Sequence, residues 1–207
     1  LKEILNTSES TIRRDIITLD KEGRLTKVFG GAIALHPAQI VNKELSMVQK
    51  QELQTTEKQA IARYAASLIE PDDCVYLDAG TTTGWMIEYI RQEKATYITN
   101  ALSHAKRLAD KGFSVILIGG EPKSSTDAIV GGEAVLNLQK YHFSKGFFGV
   151  NGVDRLSGFT TPDVKEAVVK QAAVKNTQPA HRYFLTTSSK SVSYTHLRAH
   201  ETELHLV

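Results

Sequence analysis

The pattern of this chain predicts an α/β protein in two parts. Residues 1–35 read as a small helix–turn–helix with a hairpin, and residues 55–191 as a Rossmann-like domain on a mostly parallel sheet. Three observations carry this. Apolar residues recur at helical spacing before residue 20, a polar connector fills 36–54, and short apolar runs then alternate with helical stretches.

Composition excludes several classes. With 207 residues, 41% hydrophobic and 23% charged, the chain is close to the globular average, which rules out wholesale disorder, a collagen-like repeat or a coiled coil. Lys+Arg 25 against Asp+Glu 23 leaves +2, so any nucleic-acid function must rest on local charge. The single cysteine, Cys74, excludes an internal disulfide or a Cys-rich zinc site, and its apolar flank (Val75, Tyr76, Leu77) marks it as a small core residue. No apolar run approaches the ~20 residues that span a bilayer, and no signal peptide is visible, so a cytoplasmic protein without a membrane partner is expected.

In the first unit Leu1, Ile4 and Leu5 have helical spacing, interrupted by Asn6-Thr7-Ser8. Ser8 suits the N-cap of a second helix, whose Ile12, Ile16 and Leu19 form one stripe at i, i+4 and i+7. Arg13 and Arg14 leave that stripe by about 100° and 200° and so face outward or flank the core. Gly23 suits a left-handed stop, Arg24 to Phe29 a short strand, and Gly30-Gly31 a turn. The result is a winged helix-turn-helix. Ser10 and Thr11, small and polar at the start of the helix, let a backbone approach a DNA groove. Arg13 and Arg14 suit guanine edges or phosphates, with Ser8 and Lys27 as neighbouring polar contacts. A solvated helix face remains open on residues alone, because Asp15, Asp20 and Glu22 nearly cancel the charge.

In the second unit helices are expected over 58–69, 83–90, 103–109, 131–138 and 162–174, and strands over 74–77, 96–99, 114–118, 146–150 and 183–185. The nearly continuous apolar run 114–118 reads as a strand buried on both faces. Asp78-Ala-Gly-Thr-Thr-Thr-Gly84 falls between a strand and a helix. Gly80 permits close approach, and Thr81, Thr82 and Thr83 offer hydroxyls beside free N–H groups at a helix start, where the dipole favours a phosphate. No Gly-Lys-Ser/Thr follows, so it is not a Walker A loop, and an ordinary capped turn is the alternative. Thr99-Asn100, Gly119-Gly120 and Gly158-Phe-Thr-Thr-Pro-Asp163 fall at other strand ends, the rim where ligands bind in open α/β sheets. Thr161 with Pro162 suits a helix cap, and Glu166 and Lys170 have the i, i+4 spacing of an ion pair.

These motifs carry a family resemblance. Ser-Thr-Ile-Arg-Arg-Asp15, Leu19-Asp-Lys-Glu-Gly23 and Val28-Phe-Gly-Gly-Ala32 resemble the DNA-binding signature of the DeoR family of bacterial transcriptional regulators. Leu77-Asp-Ala-Gly-Thr-Thr-Thr83, Thr99-Asn100, Gly119-Gly120, Gly149-Val-Asn-Gly152 and Gly158 to Asp163 look like its effector-binding domain, most similar to that of fructose operon repressors. The resemblance implies a fold similar to ribose-5-phosphate isomerase and a phosphorylated sugar as ligand. Asp78, Gly80, Thr81, Thr82, Thr83, Asn100, Glu166 and Lys170 carry over as effector contacts, with Gly119, Gly120, Thr161 and Asp163 on the same rim. Lys170 would meet the phosphate, and Asp78 and Glu166 the sugar hydroxyls. The family usually has one more helix at the start and a His where Phe29 stands. The run Val192-Ser-Tyr-Thr-His-Leu-Arg-Ala-His-Glu-Thr202 resembles a translated sequencing-library adapter, so a native domain cut short at both ends and a foreign tail from about 192 are expected. His196, His200 and His205 in that tail imitate a metal motif by chance, and no metal or cofactor is expected.

The expected function is a sugar-responsive repressor of a fructose-type operon, a homo-oligomer bound to operator DNA and controlled by a sugar phosphate such as fructose 1-phosphate. An isomerase-like enzyme using Asp78, Asp163 or Glu166 and a bare sugar-phosphate-binding module are the alternatives. The helix-turn-helix argues against the enzyme. If Arg13 or Arg14 contacts a base, its change to Ala costs about 1–3 kcal/mol and relaxes specificity at one base pair; a phosphate contact instead weakens all sequences alike. Operator titrations at several salt concentrations separate the two, and unchanged affinity in both single variants overturns the assignment.

Overall fold

The computed structural model describes residues 8–21, 25–28, 31–34, 54–154, 158–187 and 205–206. The chain divides into two compact units, Leu1–Val41 and Asn42–Val207.

In the first unit helix α1 (Glu9–Lys21) starts at Ser8, whose Oγ accepts the Thr11 N–H at 3.2 Å, as an N-cap should. Ile12, Ile16 and Leu19 are half-buried, whereas Arg13 and Arg14 are exposed. The helix lies against strand β1 (Leu25–Val28), which pairs antiparallel with β2 (Gly31–Ala34) from Leu25↔Ala34 to Val28↔Gly31. The expected wing is therefore present as a strand pair. The expected first helix, the Gly23 stop, Gly30 of the expected Gly30-Gly31 turn, most of the 36–54 connector and the tail from about 192 apart from 205–206 lie outside the described residues, while Gly31 opens β2.

The second unit opens with α2 (Thr55–Ser67) and β3 (Cys74–Leu77). Then follow α3 (Thr81–Tyr89), β4 (Thr96–Thr99), α4 (Leu102–Asp110) and β5 (Ser114–Leu117). A hairpin, β6 (Glu121–Lys123) and β7 (Ala128–Val130), leads into α5 (Gly132–Leu138) and β8 (Lys145–Gly149). A second pair, β9 (Gly152–Asp154) and β10 (Gly158–Thr160), precedes α6 (Val164–Lys175), β11 (Arg182–Leu185) and the two-residue β12 (His205–Leu206). The main sheet is parallel throughout, in the order β12-β11-β8-β3-β4-β5.

Successive strand residues serve opposite faces of this sheet. Tyr76, Ile98, Phe148 and Phe184 pack with Ala134, Leu138, Val169 and Ala173 of α5 and α6. Their neighbours Val75, Leu77, Tyr97, Phe147 and Leu185 pack with Ala62, Ala65, Met86, Ile87 and Leu108 of α2, α3 and α4. Helices thus cover both faces, which is why the strands read as unbroken apolar runs. Cys74 is partly buried against the first of these cores, and burial raises its thiol pKa, as expected of an inert core residue.

Three expectations need correction. β5 is the last strand in the sheet order, so Ser114 and Leu117 are exposed rather than buried on both faces. Gly158 to Thr160, read as part of a loop, is a strand paired antiparallel with β9, and 121–130, where no element was expected, forms the antiparallel pair β6–β7; both pairs are too short to show alternation. The cap of α6 is Asp163 rather than Thr161: its carboxylate accepts the Glu166 N–H at 3.0 Å.

At the N-terminal end of the sheet, Lys145 donates to Asp73 Oδ2 at 2.8 Å and Glu70 Oε2 at 2.7 Å, and the Ser144 hydroxyl donates to Asp73 Oδ1 at 2.6 Å. Burial alone would raise the Asp73 carboxyl. The bonds from Lys145, Ser144 and the Glu70 N–H outweigh it and hold the pKa below its ordinary value. A depressed carboxyl contributes stability above its unfolded pKa and loses it as pH falls through the folded one. Lys145→Met should cost about 3–5 kcal/mol at pH 7 by leaving a buried carboxylate unpaired. The cost should shrink in acid, and urea unfolding followed at Trp85 measures both; a midpoint equal to wild type at pH 7 overturns it.

Candidate functional site

The chain runs from β3 outward to β4 and β5, then returns to lay β8 on the other side of β3. The connection reverses between β3 and β8, and open α/β sheets bind ligands beyond the carboxyl ends of the strands at such a reversal. Asp78 follows β3, and Gly149 ends β8. The Gly149 N–H donates to Asp78 Oδ2 at 3.0 Å. Lys170, from α6, donates to the same carboxylate oxygen and to the Gly149 carbonyl at 2.8 Å. Asp78 is 3% exposed and Lys170 8%. Burial raises the Asp78 carboxyl above its ordinary value, and the Glu166 charge adds to this, against the opposing pull of Lys170 and the Gly149 N–H.

The 78–84 stretch leads from the end of β3 into α3, and its three threonines have different surroundings. Thr83 donates to the Asp78 carbonyl at 2.7 Å and the Gly80 carbonyl at 3.0 Å, so its hydroxyl shapes the loop. Thr82 Oγ1 is buried and has no hydrogen-bond partner. Thr81 is also buried, in the first turn. Asn100 braces the loop: Oδ1 accepts the Ala79 N–H at 2.8 Å, and Nδ2 donates to the Ile129 carbonyl at 3.4 Å. Its own carbonyl accepts the Ile129 N–H at 2.6 Å, so one residue joins the loop to the β6–β7 hairpin.

The hairpin is also tied to α6. Lys123 reaches Asp163 Oδ2 at 2.9 Å and Glu166 Oε1 at 2.8 Å, and Thr126 donates to the same Glu166 oxygen at 2.6 Å. Thr161 Oγ1 is buried without a hydrogen-bond partner. Glu166 and Lys170, expected to pair with one another, instead hold Lys123 and Asp78 respectively. Gly120 has φ +145°, and a Cβ there would meet the Val130 carbonyl at 2.7 Å; close packing against β7 accounts for this glycine. Gly119 is exposed at the end of β5. Lys123, Thr126 and Gly149 were missed by sequence reasoning. Only Gly149 carried a signal, within the quoted Gly149-Val-Asn-Gly152 motif.

On α1 the hydroxyls of Ser8, Ser10 and Thr11 cluster: Ser8 Oγ lies 2.9 Å from both of the others. Arg13 and Arg14 are exposed beyond them, and Lys27 lies on β1. Among the described residues there is no cluster of His, Cys, Asp and Glu able to hold a metal, and no helix long and apolar enough to cross a membrane.

A regulator with a DNA-binding unit and a ligand-sensing α/β unit is the class these features define. Residues 1–38 match the DeoR-like helix-turn-helix domain, and residues 53–204 match the DeoR C terminal sensor domain. The chain belongs to the DeoR family. It is 44% identical over 191 residues to the uncharacterized HTH-type transcriptional regulator FruR of Bacillus subtilis (strain 168), covering 92% of this chain and 74% of that one. It is 40% identical over 191 residues to the lactose phosphotransferase system repressor of Staphylococcus aureus (strain N315), covering 91% and 74%. A ribose-5-phosphate isomerase solved with phospho-erythronic acid shares the fold at a TM-score of 0.51 and 13% identity, over 68% of this chain. The match spans only 56% of that isomerase. The chain is thus a transcriptional regulator and not an enzyme, although its sensor fold resembles that of an isomerase.

The buried pair has a measurable signature. Lys170→Met removes the partner of Asp78 and should cost about 3–5 kcal/mol at pH 7. Without the ammonium the carboxyl pKa rises further, and an acid whose folded pKa is raised loses stability as pH climbs. The deficit should therefore be smaller at pH 5 than at pH 7, and Asp78→Asn in the same chain should recover part of it. A pH-independent deficit in urea unfolding overturns this account.

Proposed function

We propose that this regulator represses a sugar-utilisation operon and that a phosphorylated sugar, most specifically fructose 1-phosphate, controls it. The observation that carries the reading is the first turn of α3 at the sheet's reversal point, where Thr82 holds a buried hydroxyl without a partner. Asp78, Asp163 and Glu166 around it outnumber Lys123 and Lys170, so an anion is disfavoured among them and favoured at the positive end of the helix. The carboxylates suit sugar hydroxyls instead. Thr81, Thr82 and Gly80 take the phosphate, while Asp78, Asn100, Thr161, Asp163 and Glu166 shape the sugar end; Lys170, expected to meet the phosphate, joins the sugar end instead in this reading, because its ammonium is held by Asp78 and the Gly149 carbonyl. The choice of fructose is supported by the 44% identical relative named FruR; the phosphotransferase repressor at 40% supports a sugar operon more broadly.

Residues 1–35 serve the operator, 36–54 join the units, and 55–191 serve the effector. Ser8, Ser10, Thr11, Arg13, Arg14 and Lys27 face the DNA. The protein works in the cytoplasm as a homo-oligomer on a symmetric operator, and effector acts by favouring one arrangement of the DNA-binding units.

The single tryptophan, Trp85, lies in α3 directly after this turn and supplies a fluorescence readout. Titration with fructose 1-phosphate, fructose 6-phosphate, ribose 5-phosphate and free fructose should give tightest binding for the first and negligible binding for the last. Tightest binding of free fructose overturns the phosphate reading, and tightest binding of another sugar phosphate replaces only the sugar. Thr82→Val should weaken binding by about tenfold, the value of a charge-assisted hydrogen bond, with the unfolding midpoint nearly unchanged.

A further inference from the structure

We propose that His104 is a positioning residue of the effector loop, its Nε2–H fixing the Gly80 carbonyl and its ring fixing the first turn of α3. The proposal rests on the phosphate site described above. His104 belongs to α4 and is 1% exposed. A Cβ added to Gly84 would lie 2.9 Å from its Nε2, so glycine at 84 is the counterpart of the imidazole. The Gly80 carbonyl is the backbone group beside the ring. That carbonyl accepts from the Gly84 N–H at 2.9 Å and from the Thr83 hydroxyl at 3.0 Å, so two donors converge where the loop becomes a helix, and the imidazole N–H is the proposed third.

The protonation state follows from the partners. Nδ1 is buried with no hydrogen-bond partner, whereas the other nitrogen faces a carbonyl. The neutral ring must then carry its proton on Nε2, because the opposite tautomer buries an unpaired N–H and turns a lone pair on a carbonyl. Burial, helped by the nearby Arg107 on the same helix, lowers the pKa to about 4, against Asp127 of the β6–β7 hairpin and the Gly80 carbonyl. Near neutral pH the ring is therefore a fixed, uncharged donor. It adds no cation to the phosphate, and it aims the loop by holding Gly80 and filling the space left by Gly84.

The test uses the whole chain and two kinds of readout. Nitrogen-15 shifts of the imidazole should report the Nε2–H tautomer at pH 7; an Nδ1–H tautomer overturns the proposal, whether or not any sugar phosphate binds. Fructose 1-phosphate affinity is then compared across variants. His104→Gln, which keeps an N–H donor at a similar reach, should stay within about threefold of wild type. His104→Leu, which keeps volume only, should lose about tenfold. Gly84→Ala should lose a similar factor by pushing the ring away. Equal losses for Gln and Leu, or wild-type affinity for Leu and for Gly84→Ala, would reduce His104 to a packing residue. If the unaltered protein binds none of the sugar phosphates, the effector reading fails, and the tautomer still decides the contact to Gly80.

Discussion

Everything at the mouth of the sensor unit depends on one buried ion pair. Asp78 and Lys170 are 92 residues apart in the chain, and their contact is made with both nearly out of water. Burying two charges is costly, and the attraction between them repays this only when the remaining hydrogen-bonding capacity is met. Here the Gly149 N–H takes up the carboxylate and the Gly149 carbonyl takes up the ammonium. The pair therefore fixes the end of β3, the end of β8 and the middle of α6 against one another, at the place where the strand order reverses.

From that anchor the site divides electrostatically. On one side the chain turns into α3, where backbone N–H groups and the Thr82 hydroxyl supply donors. On the other, Asp163 and Glu166 share Lys123, and Thr126 adds a hydroxyl to Glu166. Asn100 connects the sides, since its amide holds the loop at Ala79 and the hairpin at Ile129. A ligand that displaced either bond of Asn100 would be felt by both segments.

The parallel architecture was legible in the sequence because both faces of the sheet are covered. Val75, Tyr76 and Leu77 are all buried, and such a run survives without alternation. The position of β5 at the edge was not legible, since Val115 and Ile116 look the same in a central strand. For the site, Asp78 and the threonine loop could be read because close approach at a helix start demands small and hydroxylated residues. The partners of Glu166 and Lys170 could not. Spacing of i, i+4 states only that two side chains share a helix face, and stronger partners from β3 and the hairpin captured each one. Lys123 meets Asp163 and Glu166 through tertiary proximity alone, with no local pattern to announce it.

The same pairing explains how a fold shared with an isomerase serves a sensor. A general acid or base needs a proton it can give up or accept at a substrate carbon. Asp78 is held by Lys170 and Gly149, Glu166 by Lys123 and Thr126, and Asp163 by Lys123 while it caps α6. Each carboxylate is committed to the protein, so proton transfer to a ligand would first require an ion pair to open. For a sensor that requirement is useful: a ligand that offers hydroxyls to Asp163 and Glu166 competes with Lys123 and Thr126 for the same oxygens. Such a ligand would change what holds the β6–β7 hairpin to α6, and only a difference in its affinity for two arrangements would shift the equilibrium between them.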